Sequence, residues 1–219
     1  MGLKEIWEKV FFEQECGKYP AESLIRFTAR NFYDKERAKI KLLEIGCGSG
    51  PNIWYFSREG FDAYGMDIAQ TAIKRAQERL CSEGMSAKLS VGNIEKIPYK
   101  NDYFDGIVDN ECLYCNDEKS TGIILDEVKR ALKDGGYFFS RSFTDEMYTG
   151  KTHTKRGELE FTDVSDGPFA SRGLARLIDR DGIERLYGSR FKIVSIDKIE
   201  YTVNDGQFKI SEWIIICKK

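Results

Sequence analysis

Histidine occurs once in the 219 residues, as His153, and only Cys112 and Cys115, in "CLYC", form a close cysteine pair. A structural zinc site normally takes four ligands, so this inventory argues against a metal centre. Long apolar runs are also missing. The N-terminal "MGLKEIWEKVFFEQ" scatters charges through its length, which fits neither a signal peptide nor a membrane span. Nor is there an excess of positive charge: Lys and Arg total 34 against 36 acidic residues, a formal net charge of −2 with no long basic block, which argues against a nucleic-acid surface. The expectation is a cytoplasmic protein, monomer or homodimer, with no nucleic-acid or membrane partner. Its cysteines (Cys16, Cys47, Cys81, Cys112, Cys115 and Cys217) are expected to be reduced and mostly small buried hydrophobes.

What is present is an alternation. Residues 1–40 read as amphipathic helix with a break at "GKYP", a cap folded onto something else. From Lys41 short apolar runs alternate with amphipathic stretches: strands over 41–46, 62–67, 87–92, 104–110 and 136–142, helices over 51–58, 69–80 and 119–132, and a short, poorly defined stretch near "IEKIP". Residues 143–172 are polar, glycine-rich and too long for an idle connection, so they read as an insertion over a binding site. A helix over 174–186 and a β-hairpin turning at "VNDG" complete residues 173–219. The length suits one α/β domain covering residues 1–219.

The stretch "LLEIGCGSGPNIWYF" places a glycine turn between a strand and a helix, where backbone N–H groups point outward and no Cβ blocks a ligand. A dinucleotide turn wants glycine at its first, third and sixth positions; counting from Gly46, the sixth is Pro51. No Gly-Lys-Ser or Gly-Lys-Thr follows to make a P-loop.

"LLEIGCGSG" resembles the first motif of class I S-adenosylmethionine-dependent methyltransferases. "AYGMDIAQTAIKRAQ", "LSVGNIEKIPYKNDYFDGIVDNECLY" and "EVKRALKDGGYFFSRSF" resemble the later motifs in order, over residues 41–143. The resemblance implies a Rossmann-like, doubly wound α/β sheet of seven strands, mostly parallel with an antiparallel last strand, under an N-terminal helical cap. It implies S-adenosylmethionine as cofactor, with S-adenosylhomocysteine as product, and a small molecule as methyl acceptor. "DNECLY" stands where amino-directed nucleic-acid enzymes carry "NPPY", and the tail resembles that of small-metabolite methyltransferases, which leans towards sugar-like or amine acceptors.

Under that resemblance Gly46 and Gly48 lie against the amino-acid part and ribose, Asp67 accepts from the ribose hydroxyls, and Ile68 packs on adenine. Asn93 and the Ile94 backbone meet the adenine edge, Asn110 lies near the methionine part, and Glu44 either binds or merely anchors the turn. Tyr19 lies against the sulfonium or breaks a helix; Arg26 pairs with the cofactor carboxylate or is solvated. Glu111 and His153 are the candidate bases, though a lone loop histidine is usually a surface residue. Tyr114 faces the acceptor, and Arg172 and Arg176 bind an anionic substrate group or form a solvated face. Trp7, Phe11 and Phe12 read as a buried stripe before a substrate pocket. The alternatives are a cofactor- or partner-binding protein of this fold without catalysis, and NAD-dependent oxidoreduction, which Pro51 opposes.

Overall fold

The computed structural model describes residues 2–15 and 17–219. Cys16, expected to be buried, lies outside the described residues. The strands β1 (Lys41–Ile45), β2 (Asp62–Asp67), β3 (Lys88–Val91), β4 (Phe104–Asn110) and β5 (Leu132–Phe143) run parallel in the order β3-β2-β1-β4-β5. The sheet is completed to seven strands by β10 (Phe208–Lys218), antiparallel to β5, and by β9 (Lys192–Val203), antiparallel to β10. Chain order reverses between β1 and β4, which opens a crevice at their carboxyl ends.

Strand alternation builds two cores. Leu43, Ile45 and Ile107 face α5 (Glu118–Ala131), meeting Ile124, Leu125 and Val128. Leu42 and Val108 face the opposite side, against Phe27 and Phe32 of α2 (Glu22–Phe32) and Ile53 and Phe56 of α3 (Pro51–Arg58). Side chains that alternate at a period of two must point to opposite faces. Glu44 therefore falls beneath the start of α3, and Asp109 falls on the α5 side.

The expected helix over 174–186 is corrected. Ala175–Arg176 is a strand, β8, paired with β7 (Glu160–Thr162), which also pairs with β6 (Thr154–Lys155) in a small antiparallel sheet. Leu177 N–H donates to the Leu159 carbonyl at 2.8 Å and Ile178 N–H to the Phe143 carbonyl at 3.0 Å, so tertiary pairing overrides the helical pattern. Helix begins only at α6 (Arg180–Ile183), capped by Asp179 accepting from Gly182 N–H. The "IEKIP" stretch forms a turn, and residues 143–172 carry the short strands β6 and β7.

The helical cap includes α1 (Leu3–Glu13), which packs across α4 (Gln70–Ser82). Its Glu8 carboxylate accepts from Gln70 N–H at 2.7 Å and Thr71 N–H at 3.1 Å. These first-turn donors have no partner inside α4, and the local N-cap, Ala69, has no side chain to offer them. A carboxylate from α1 thus caps a helix some sixty positions away. Replacing Glu8 by Ala should cost about 1 kcal/mol, the usual worth of a helix cap, and should speed hydrogen exchange in α1 while leaving β1 and β4 protected. Unchanged exchange in α1 would show that this contact does not hold the cap.

Candidate active site

A cavity of about 600 Å³ opens at the carboxyl ends of β1, β2 and β4, roofed by α1 and by residues 168–172. Gly46 and Gly48 form its floor with φ of +63° and +52°, a left-handed backbone that residues with a Cβ adopt at a cost. A Cβ on Gly46 would also lie 2.1 Å from Cys112 Sγ, so the turn after β1 and the turn after β4 touch there and leave no room for a side chain. Gly50 caps α3, and Pro51 occupies the first helical position, where no N–H is needed.

Asp67 ends β2 and is buried. Its Oδ2 accepts from Gly48 N–H at 2.9 Å and its Oδ1 from Ala69 N–H at 2.8 Å. Burial raises its pKa against the lowering effect of those bonds. Each carboxylate oxygen keeps lone-pair capacity for a further donor. Glu44, 2% exposed, accepts from Asn52 Nδ2 at 2.6 Å through Oε1, and burial pushes its carboxyl well above the ordinary range. Four buried polar atoms of cavity-lining residues have no partner among the described residues: Trp7 Nε1, Glu44 Oε2, Asn52 Oδ1 and Asn110 Oδ1.

The end of β4 is organised by Asp109, fully buried. Its Oδ1 accepts from Cys112 N–H and Leu113 N–H at 2.8 and 3.1 Å, and its Oδ2 from Ser140 Oγ at 2.6 Å. These bonds shape the turn that places Glu111, at φ +60°, on the cavity wall. There Arg141 lies 2.9 Å from Glu111 and 2.5 Å from Glu212, two carboxylates sharing one guanidinium. Burial, with Glu111 close by, pushes Glu212 up to about 7.

Among the residues singled out from the sequence, Tyr19, Glu44, Gly46, Gly48, Asp67, Ile68, Asn93, Ile94, Asn110, Glu111, Tyr114 and Arg172 all line this one cavity. Tyr19 does so while 74% exposed, its ring edge-on to Trp54 at 5.9 Å. Asn93 Oδ1 accepts from Glu95 N–H at 3.0 Å. Arg26 and His153 are not in the lining. Arg26 pairs with Glu22 one helical turn away on the exposed face of α2. His153 is exposed, with Nδ1 3.1 Å from the Thr149 carbonyl and its ring edge-on to Phe161. Arg176 is buried as a strut, bonded to the Asn116 carbonyl and Thr121 Oγ1. Of the aromatic stripe, Trp7 and Phe11 line the cavity, whereas Phe12 is 77% exposed. Cys47, Cys112 and Cys115 line it as free thiols, while Cys81 is exposed. Arg141 and Asn52 were not foreseen, although an arginine inside the apolar run "YFFSRSF" is itself a signal.

Fold and site together define an open α/β sheet with a glycine turn and a cavity at its switch point, where such sheets bind ligands. Residues 43–140 match the family model described as "Methyltransferase domain". The chain is 32% identical over 100 residues to a probable phthiotriol/phenolphthiotriol dimycocerosates methyltransferase of Mycobacterium ulcerans, an alignment covering 45% of this chain and 37% of that one. The matched stretch spans about a third of the length of the first curated relatives. A SAM-dependent methyltransferase structure from Methanosarcina mazei superposes with a TM-score of 0.69 at 25% identity, covering 82% of this chain and 92% of that one. The Burkholderia thailandensis 1,6-didemethyltoxoflavin-N1-methyltransferase, solved with 1,6-didemethyltoxoflavin and S-adenosylhomocysteine, shares the fold at TM-score 0.66 and 16% identity, covering 90% of this chain and 78% of that one. Residues 43–140 thus match a methyltransferase domain, and the chain resembles S-adenosylmethionine-dependent methyltransferases in sequence and in fold. The unpartnered oxygens of Glu44, Asn52 and Asn110 are acceptors and fit a cofactor that brings hydrogen-bond donors, as an amino group and hydroxyls do.

Burial raises the Asp109 carboxyl to about 6, above the roughly 3.9 of an unfolded aspartate. The folded state therefore holds this proton more tightly, and the stability it contributes below about pH 4 is lost as pH rises through about 6. Asp109→Asn should remove about one proton from the pH dependence of unfolding free energy between these limits, measured by denaturant titration. An unaltered slope would contradict the assignment.

Proposed function

We propose that the protein transfers a methyl group from S-adenosylmethionine to an oxygen or nitrogen atom of a small molecule. The observation that carries this reading is the roofed cavity, where the glycine turn and Asp67 share one space with Glu111, Tyr114 and aromatic walls. The bound toxoflavin precursor and S-adenosylhomocysteine of the fold neighbour support a small acceptor beside the cofactor.

When bound, the cofactor supplies an electrophilic methyl group on a positively charged sulfur. Asp67 accepts hydrogen bonds from the ribose hydroxyls, and Gly46 and Gly48 allow the backbone to approach closely. Ile68 and Ile94 flank the adenine, with Asn93 at its edge. Asn110, Glu44 and Tyr19 face the methionine part. Tyr114 and Arg172 meet the acceptor. Glu111 takes the proton from an acceptor hydroxyl or amine, with Arg141 fixing the carboxylate in place. The rings of α1 and of residues 168–169 keep water out, so that the chief task is to hold the nucleophile in line. The same reading takes the protein as a monomer or homodimer in the cytoplasm, and the free thiols among the described cysteines support a reducing compartment.

Calorimetric titration with S-adenosylhomocysteine should give saturable binding. Asp67→Ala should weaken it by about tenfold or more, the worth of a charged hydrogen bond, whereas His153→Ala should leave it unchanged. Absence of binding, or equal effects of the two changes, would remove the cofactor assignment.

A further inference from the structure

We infer that the methyl acceptor is a ring compound bearing a carboxylate, and that Arg172 and the indole N–H of Trp7 hold that carboxylate; this rests on the methyl-transfer reading above. The end of the cavity beyond Glu111 is flat-walled. The Tyr114 and Phe143 rings meet edge to face with centroids 5.0 Å apart, Phe143 and Phe169 do so at 4.9 Å, and Tyr114 lies 5.4 Å from Phe169. Trp7 closes the set, edge-on to Tyr114 at 6.5 Å. All four line the cavity. Rings locked edge to face leave a slot better suited to another ring than to a flexible chain.

This end carries two donor-only side chains, Arg172 and Trp7. The Arg172 guanidinium sits over the Trp7 ring, its central carbon 5.5 Å from the centroid, and Nη2 gives one bond, to Gln14 Oε1 at 3.2 Å. Among the described residues Arg172 forms no ion pair with a carboxylate. The acidic residues of the lining are engaged elsewhere or outlying: Glu111 with Arg141, Asp67 with Gly48 and Ala69 N–H, Glu44 with Asn52, and Glu15 on the exposed chain before Gly17.

Trp7 supplies the independent observation. Its Nε1 is buried and has no partner among the described residues. A buried N–H is normally bonded, and an indole can only donate. The guanidinium beside it is also donor-only and matches the two oxygens of a carboxylate. A cation and an orphan N–H at one end of the cavity, where the one lining acid without a bond among the described residues is the exposed Glu15, select an anion. The aromatic walls select what carries it. The acceptor atom is then a ring oxygen or nitrogen substituent within reach of Glu111, which keeps its own carboxylate for the proton.

The test uses the full chain saturated with S-adenosylhomocysteine, titrated calorimetrically with benzoate, anthranilate and 2-naphthoate and with their primary amides. At least one carboxylate should bind about tenfold or more tighter than its amide, the discrimination expected of a charge-assisted hydrogen bond. Arg172→Ala should abolish that preference. Trp7→Phe, which keeps a ring and loses the N–H, should reduce it. Both variants should retain wild-type affinity for S-adenosylhomocysteine, a readout that also certifies their fold. Equal binding of acids and amides, no binding of any probe, or a preference that survives Arg172→Ala would overturn the proposal. So would a selective loss of S-adenosylhomocysteine affinity in Arg172→Ala, which would move the guanidinium to the cofactor. Failure of the wild-type chain to bind S-adenosylhomocysteine at all would instead sink the methyl-transfer reading beneath it.

Discussion

A carboxylate buried at the end of a strand has to find hydrogen-bond donors, and Asp67 finds them in the two backbones that the cofactor turn depends on. Gly48 N–H comes from the turn after β1 and Ala69 N–H from the entry to α4. One side chain therefore fixes the spacing between the glycine turn and the following helix. The next two N–H groups of α4, those of Gln70 and Thr71, go to Glu8 of α1. The same helix terminus thus anchors both the turn and the cap, and the cap brings Trp7 and Phe11 over the cavity. The position of the roof and the shape of the floor are set at one place.

The second organising point is the turn after β4. Asp109 directs the chain through Cys112 and Leu113 N–H, and Ser140 and Tyr187 complete its environment, with Ser140 Oγ 2.9 Å from the Tyr187 hydroxyl. The turn is forced close to Gly46, where Cys112 occupies the space a side chain would need. The two turns that flank the switch point constrain each other, and Glu111 projects from that contact. Its pairing with Arg141, itself shared with Glu212, holds the carboxylate at the wall of the cavity.

The central sheet and its turns were legible because their signals are local. A run such as "KLLEI", apolar save for Lys41 and Glu44, followed by glycines and then Pro51, specifies strand, turn and helix in one short stretch, and the fold places each element there. Roles that depend on where distant segments land were not legible. Arg26 had a plausible charge at a plausible distance along the chain, but helical periodicity turns it outward to Glu22. Arg172 lies beside Trp7 in the loop between β7 and β8, whose ends are fixed by pairing in the small sheet and by the bond from Ile178 N–H to β5, a tertiary effect that also replaced the expected helix. Arg141 was passed over because its run reads as core strand, and only the third dimension shows Glu111 and Glu212 on either side of it.

The central claim is that the cavity at the β1/β4 switch point holds the methyl donor against Asp67. The most direct measurement is a crystal structure of the protein soaked with S-adenosylhomocysteine. The account predicts density filling this cavity, with ribose hydroxyls within hydrogen-bond distance of Asp67 and the amino-acid tail between Gly46 and Asn110. Density at another location, or a bound pose in which Asp67 contacts only Gly48 and Ala69, would contradict it.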